Sequence, residues 1–198
     1  RGEGALRMGV LYDLLGRDSN RDKREETVVQ LSKRYHIDLA QAARVKQTAM
    51  QLFEQLNLPS SPENKELKLA LGWAADLHEV GLSIAHNDYH KHTAYVLDHA
   101  DMPGFSKDDQ SLLAFLTLGQ LGKLEKRKLH HAQRADWLTL LCLRLSIMLM
   151  RRREDLDSLP LRIAVSPRGA TIYADKNWIT TRPLSEFSLR TEQSEWAK

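Results

Sequence analysis

The stretch from Leu71 to Phe105 constrains the fold more than any other, because it holds five of the eight histidines between two segments of helical periodicity. Trp73, Leu77 and Val80 recur at i, i+4, i+7, so residues 70–80 are predicted to form an amphipathic helix that Gly81 ends. A second helix is predicted over roughly 91–100, carrying Tyr95 and Val96 inward and stopping before Pro103. His78 and Glu79 at the end of one helix and His92 at the start of the next are then placed to converge. His86, His90 and His99 are expected on the surface.

The flanking sequence extends this helical character. Asp22 and Arg24 flank a helix start leading into Thr27, Val28, Leu31 and Tyr35, and Asp38 is a candidate N-cap for the helix after it. Val45, Thr48, Ala49, Leu52, Phe53 and Leu56 form the buried stripe of that helix. Breakers at 58–62 precede the next one. Ser106 is predicted to cap a helix over 107–118 with Leu112, Leu113 and Leu116 inward, and Gly119 to Gly122 breaks it. The most apolar helix, 135–152, is the expected core spine, and Arg151, Arg152 and Arg153 at its end complement the helix dipole.

Beyond Pro160 the period changes. Residues 161–165 and 170–174 alternate around a turn at Ser166–Gly169, a hairpin with a four-residue loop. A short helical turn at Asn177-Trp178 and a longer helix after Pro183 follow. The expected fold is therefore mainly α: a helical bundle of about seven helices over 17–157 and a small C-terminal α/β unit, hairpin plus helix, over 158–198. Residues 1–16 form an N-terminal arm in which Leu6, Val10, Leu11 and Leu14 share a helical face.

Composition limits the chemistry. An apolar content of 42% with 28% charged residues suits a soluble globular chain, and a net charge of +3 permits polyanion binding without demanding it. The single cysteine, Cys142, falls in the apolar run Leu138–Met150, which places a buried thiol there. With one cysteine no disulfide forms within the chain, in keeping with a reducing, cytoplasmic setting. That apolar run is too short for a bilayer and carries Arg144. There is no GxGxxG, no P-loop, no CxxC and no nucleophile triad pattern, so no catalytic residue is assigned. Two basic groups are candidates for polyanion contact: Arg17, Arg21, Lys23 and Arg24, and then Lys123, Lys126, Arg127 and Lys128.

A helix ending LHEVGL, a short histidine-bearing loop and then KHTAYVLDHADMPGF resembles the HD-like domain of the exopolyphosphatase/guanosine-pentaphosphate phosphohydrolase family. The opening GEGALRMGVLYDLLGR resembles the segment with which that family's actin-like catalytic domain hands over to the helical domain. The resemblance covers the C-terminal part of a family member. It implies that catalysis, with its divalent cation (Mg), resides in an actin-like domain ahead of Arg1. It implies further that this portion extends the channel for polyphosphate or guanosine pentaphosphate, contacts its own catalytic domain and supports a homodimer.

An active HD-type metal centre needs an early-helix His, a His-Asp pair and a late-helix Asp. Here the corresponding residues are Gln41, His78-Glu79 and a late helix whose one carboxylate, Asp136, stands at its start. The metal assignment is accordingly none, with His78, Glu79 and His92 as the candidates; His78 and Glu79 are expected instead to hydrogen-bond neighbouring helices, with Glu79 meeting an arginine. The alternative is a metal-dependent HD-type phosphohydrolase acting on a nucleotide.

Overall fold

The computed structural model describes residues 23–124 and 132–197. Among them the chain runs through α1 (residues 23–34), α2 (Leu39–Glu54), α3 (Pro62–Leu77), α4 (Tyr89–His99), α5 (Lys107–Gly119) and α6 (Arg134–Leu149). A hairpin of β1 (Leu161–Ser166) and β2 (Gly169–Ala174) follows, then α7 (Lys176–Thr180) and α8 (Pro183–Ala197). Two 3-10 turns, Val80–Ser83 and Met150–Arg152, extend the ends of α3 and α6. The protein is mainly α, as expected.

Local chemistry sets the helix starts. Asp38 caps α2 by accepting from Gln41 N at 3.0 Å. Ser61 caps α3, with Pro62 at the first helical position where its missing N–H costs nothing. Ser106 and Asp109 form a reciprocal capping box at the head of α5. The core lies between α2, α3, α5 and α6. Val45, Ala49, Leu52, Leu71, Leu77, Leu113, Leu116, Leu140, Leu143 and Leu145 are fully buried there. Cys142 is among them, and burial raises its thiol pKa far above the ordinary range.

Four details depart from the periodicity argument. The helix through Trp73 stops at Leu77, and Val80 is buried in a 3-10 turn instead. α4 begins at Tyr89, two residues early, and its buried face is His90, Thr93, Ala94 and Leu97. Tyr95 falls on the opposite side of that face, 65% exposed and stacked on His99 at 4.4 Å, while Val96 is half-buried. The hairpin loop has two residues, not four, because Ser166 pairs with Gly169 in the ladder.

The hairpin is seated through β1. Leu161 and Ile163 are buried, Ile163 N donates to Gln55 Oε1 at 2.7 Å, and Arg134 of α6 donates to Pro167 O and to Ser166 O. α8 rests on α6 through Trp196, edge-on to Trp137 at 5.9 Å.

Candidate functional site

The sequence places its strongest chemical signal where α3 ends. His78 is the C-cap residue of α3 and is 1% exposed. Its Nδ1 lies 2.7 Å from Ala75 O. A carbonyl can only accept, so Nδ1 carries the proton and Nε2 carries the lone pair. Nε2 is 3.9 Å from Glu79 Oε1. Burial lowers the His78 pKa, and the neighbouring Glu79 opposes this only in part. His78 is therefore neutral in the folded protein at neutral pH.

The His78 backbone is held as closely as its ring. Its carbonyl accepts from Gln120 Nε2 at 2.9 Å, and the Thr93 hydroxyl lies within reach at 3.2 Å. That hydroxyl also accepts from Gly81 N at 2.9 Å. Only glycine permits this crossing. A Cβ on Gly81 would lie 2.0 Å from Tyr89 O and 2.7 Å from Thr93 N.

Glu79 meets an arginine. Its Oε1 is 2.5 Å from Arg153 Nη2, and Arg153 Nη1 is 2.8 Å from Asp38 Oδ2. Arg153 adopts φ 56°, a left-handed conformation that costs a non-glycine residue about 1–2 kcal/mol. The strain buys a position from which one guanidinium bridges the N-cap of α2 and the N-cap of the 3-10 turn. Asp38 thereby uses both oxygens, and its pKa is lowered first by the Gln41 N–H and then by Arg153. Arg153 thus does more than offset a dipole.

These residues do not fit a metal centre. Gln41, at the early-helix position, is buried and donates Nε2 to Met150 O at 2.8 Å, while its Oε1 has no hydrogen-bond partner. Glu79 and Asp38 are already paired with Arg153. His92 has its Cβ against Gly81 and joins no ligand set. Among the described residues no three His, Cys, Asp or Glu side chains form a group able to hold a metal ion. His90, expected on the surface, is buried: its ring faces Gly122, and burial lowers its pKa.

The basic candidates divide. Lys23 is exposed and pairs with Glu26 at 3.2 Å. Arg24 is turned inward, its Nη1 3.0 Å from Glu66 and its guanidinium 4.5 Å over the Trp73 ring. Lys123 is exposed, just after Gly122, which holds φ +76°. Lys23 and Arg24 sit beside the turn at Gly104, whereas Lys123 leaves the bundle beside His90 and Arg144. Arg17, Arg21, Lys126, Arg127 and Lys128 lie outside the described residues, as does the N-terminal arm.

Two arginines escaped the sequence argument. Arg153 is one, because its partners are 74 and 115 positions away. Arg144 is the other, a buried cation on the core helix that donates to Gly119 O, Gly122 O and both oxygens of Glu192. An arginine inside an otherwise apolar helix was the available signal, since a buried charge requires a partner.

The family described as Ppx/GppA phosphatase, domain III, matches residues 23–193. Among curated proteins the chain is 35% identical over 201 residues to a guanosine-5'-triphosphate,3'-diphosphate pyrophosphatase of Pseudoalteromonas translucida, covering 98% of this chain and 40% of the relative. Similar proteins of the same description occur in Aeromonas salmonicida, at 33% identity over 96% of this chain and 39% of the relative, and in Photobacterium profundum, at 30% over 96% and 38%. The chain spans about two fifths of the length of these relatives. No helix among the described residues is long and apolar enough to cross a membrane.

Proposed function

Because the chain belongs to the Ppx/GppA phosphatase family and matches its domain III, we propose that it is a non-catalytic accessory domain that binds a phosphate-rich polyanion. The parent activity is release of a terminal phosphate from guanosine pentaphosphate or polyphosphate. The relatives' description as guanosine-5'-triphosphate,3'-diphosphate pyrophosphatases favours the nucleotide. The acid-anhydride chemistry and its divalent cation belong to the actin-like portion. This domain guides the anion toward it, contacts that portion, supports a homodimer and acts in the cytoplasm.

One observation carries the non-catalytic reading: the Arg153 guanidinium is paired with Glu79, the carboxylate of the His-acid pair that a metal-dependent phosphohydrolase would need open. A guanidinium has no lone pair to give a metal and no pKa that lets it serve as a base. The amide at Gln41 supplies no replacement, and His78 Nε2 is a single nitrogen donor where a metal centre needs three or more protein ligands. Exposed Lys23 and Lys123 supply flexible cations of the type that phosphate chains recruit.

The test is turnover by the purified chain. With guanosine pentaphosphate or long polyphosphate and Mg²⁺ or Mn²⁺, no orthophosphate is released above the blank. Release that disappears in His78→Ala overturns the proposal and favours a metal-dependent nucleotide phosphohydrolase.

A further inference from the structure

Arg144 is the only lysine or arginine in the buried set of the described residues. Its Nε and Nη2 grip Glu192 of α8 with a two-pronged contact, at 2.7 and 2.6 Å. The same guanidinium turns its remaining donors on the last residue of α5 and the turn after it: Nη1 to Gly119 O at 2.5 Å and Nη2 to Gly122 O at 2.9 Å. Three elements meet on one side chain. A second carboxylate of α8 completes the arrangement, because Glu195 Oε2 accepts from Leu124 N at 3.3 Å.

The turn at 119–124 is held from below as well. Gln120 is buried and donates to His78 O, and the His90 ring faces Gly122. A Cβ on Gly119 would meet Leu140 Cδ2 at 2.6 Å, so the turn sits hard on α6. Exposed Lys123 is the residue that this framework presents. α8, by contrast, has no buried residue, and Leu184 and Phe187 near its start are 80% and 70% exposed. Its grip on the bundle is concentrated in its C-terminal half, at Glu192, Glu195 and Trp196.

We propose that Arg144, Glu192 and Glu195 are positioning residues for polyanion contact: α8, through its two carboxylates, fixes the turn at 119–124 and with it the place from which Lys123 meets the anion. The inference rests on the polyanion reading above. It makes a prediction opposite in sign to simple electrostatics. A carboxylate near a polyanion-binding lysine repels the anion, so if charge alone mattered, its neutralisation would tighten binding. If the carboxylates position Lys123, their neutralisation weakens binding instead.

The experiment uses the full chain and long-chain polyphosphate at low salt. Glu195→Ala, which removes the acceptor for Leu124 N and leaves the Arg144–Glu192 pair intact, is expected to raise the apparent Kd about five-fold or more. It is also expected to speed amide exchange at 119–124 with the rest of the bundle unchanged. In a Lys123→Ala background the same substitution should have little further effect on Kd. Glu192→Ala is the second variant. Should it fail to fold, Glu195→Ala decides alone. Unchanged or tighter binding by Glu195→Ala overturns the proposal. If the unaltered chain does not bind polyphosphate, the polyanion reading itself fails, and the clamp is decided by exchange: unaltered exchange at Leu124 refutes it, and faster exchange upholds its mechanical part.

Discussion

Gly81→Ala probes the crossing that brings α4 against the end of α3. An added Cβ would lie 2.0 Å from Tyr89 O, 2.7 Å from Thr93 N and 2.9 Å from His92 Cβ. Ordinary contacts of this kind are nearer about 3.4 Å, and two of the three obstacles are backbone, so the chain segments must separate by about 1 Å. Overpacking of this type costs about 1–3 kcal/mol. Separation also breaks the buried bond from Gly81 N to the Thr93 hydroxyl, worth about 1–3 kcal/mol once its partners are stranded. The sum is about 2–6 kcal/mol, which for a chain of this length lowers Tm by about 10 °C. Gly72→Ala is the control. Its Cβ would meet only the flexible ends of Lys46 and Met50, at 3.2 Å, inside α3. Helix propensity then favours alanine by about 0.5–1 kcal/mol. Thermal melts of the two variants decide the matter. A Gly81→Ala loss under about 3 °C, or an equal loss in Gly72→Ala, refutes the reasoning.

Three further outcomes follow from particular contacts. Because burial lowers the His78 pKa, the folded state binds fewer protons than the unfolded one below about pH 6.5. Stability is then full above about 6.5 and declines as pH falls toward the folded pKa. Urea midpoints at pH 7.5 and 5.5 should show this loss, smaller in His78→Gln, and equal midpoints for the unaltered chain contradict it. Ser106→Ala removes one half of the α5 capping box and should cost about 1 kcal/mol in urea titration; no change contradicts the cap. Arg24→Ala should lower stability by about 1–2 kcal/mol, through loss of its Trp73 stacking and Glu66 contact, while leaving polyphosphate affinity nearly unchanged. A large affinity loss without destabilisation would return Arg24 to the anion-binding surface.

Much of the fold was legible because its determinants are local. Asp38 and Ser106 cap the helices they were expected to cap, since each bond spans only three residues. The stripe from Val45 to Leu56 is buried as its spacing required. The failures are places where a distant element decides. His90 is buried by a turn some thirty residues later, and no pattern within α4 marks it. Tyr95, expected inward, lies two positions from Thr93 and from Leu97, which puts it across the helix from the buried face. At the candidate site, the burial of Gln41 and His78 follows from their helices' apolar spacing. Which arginine meets Glu79 was not legible, because only the tertiary fold and a left-handed backbone bring Arg153 to it.

If the proposed accessory role is right, the chain should hold polyphosphate through counterion release. Titration of the purified chain with long polyphosphate at two salt concentrations is therefore the most direct measurement. Affinity should fall as salt rises, as it does whenever several phosphates are neutralised by lysine and arginine. No binding at low salt, or an affinity indifferent to salt, contradicts the account.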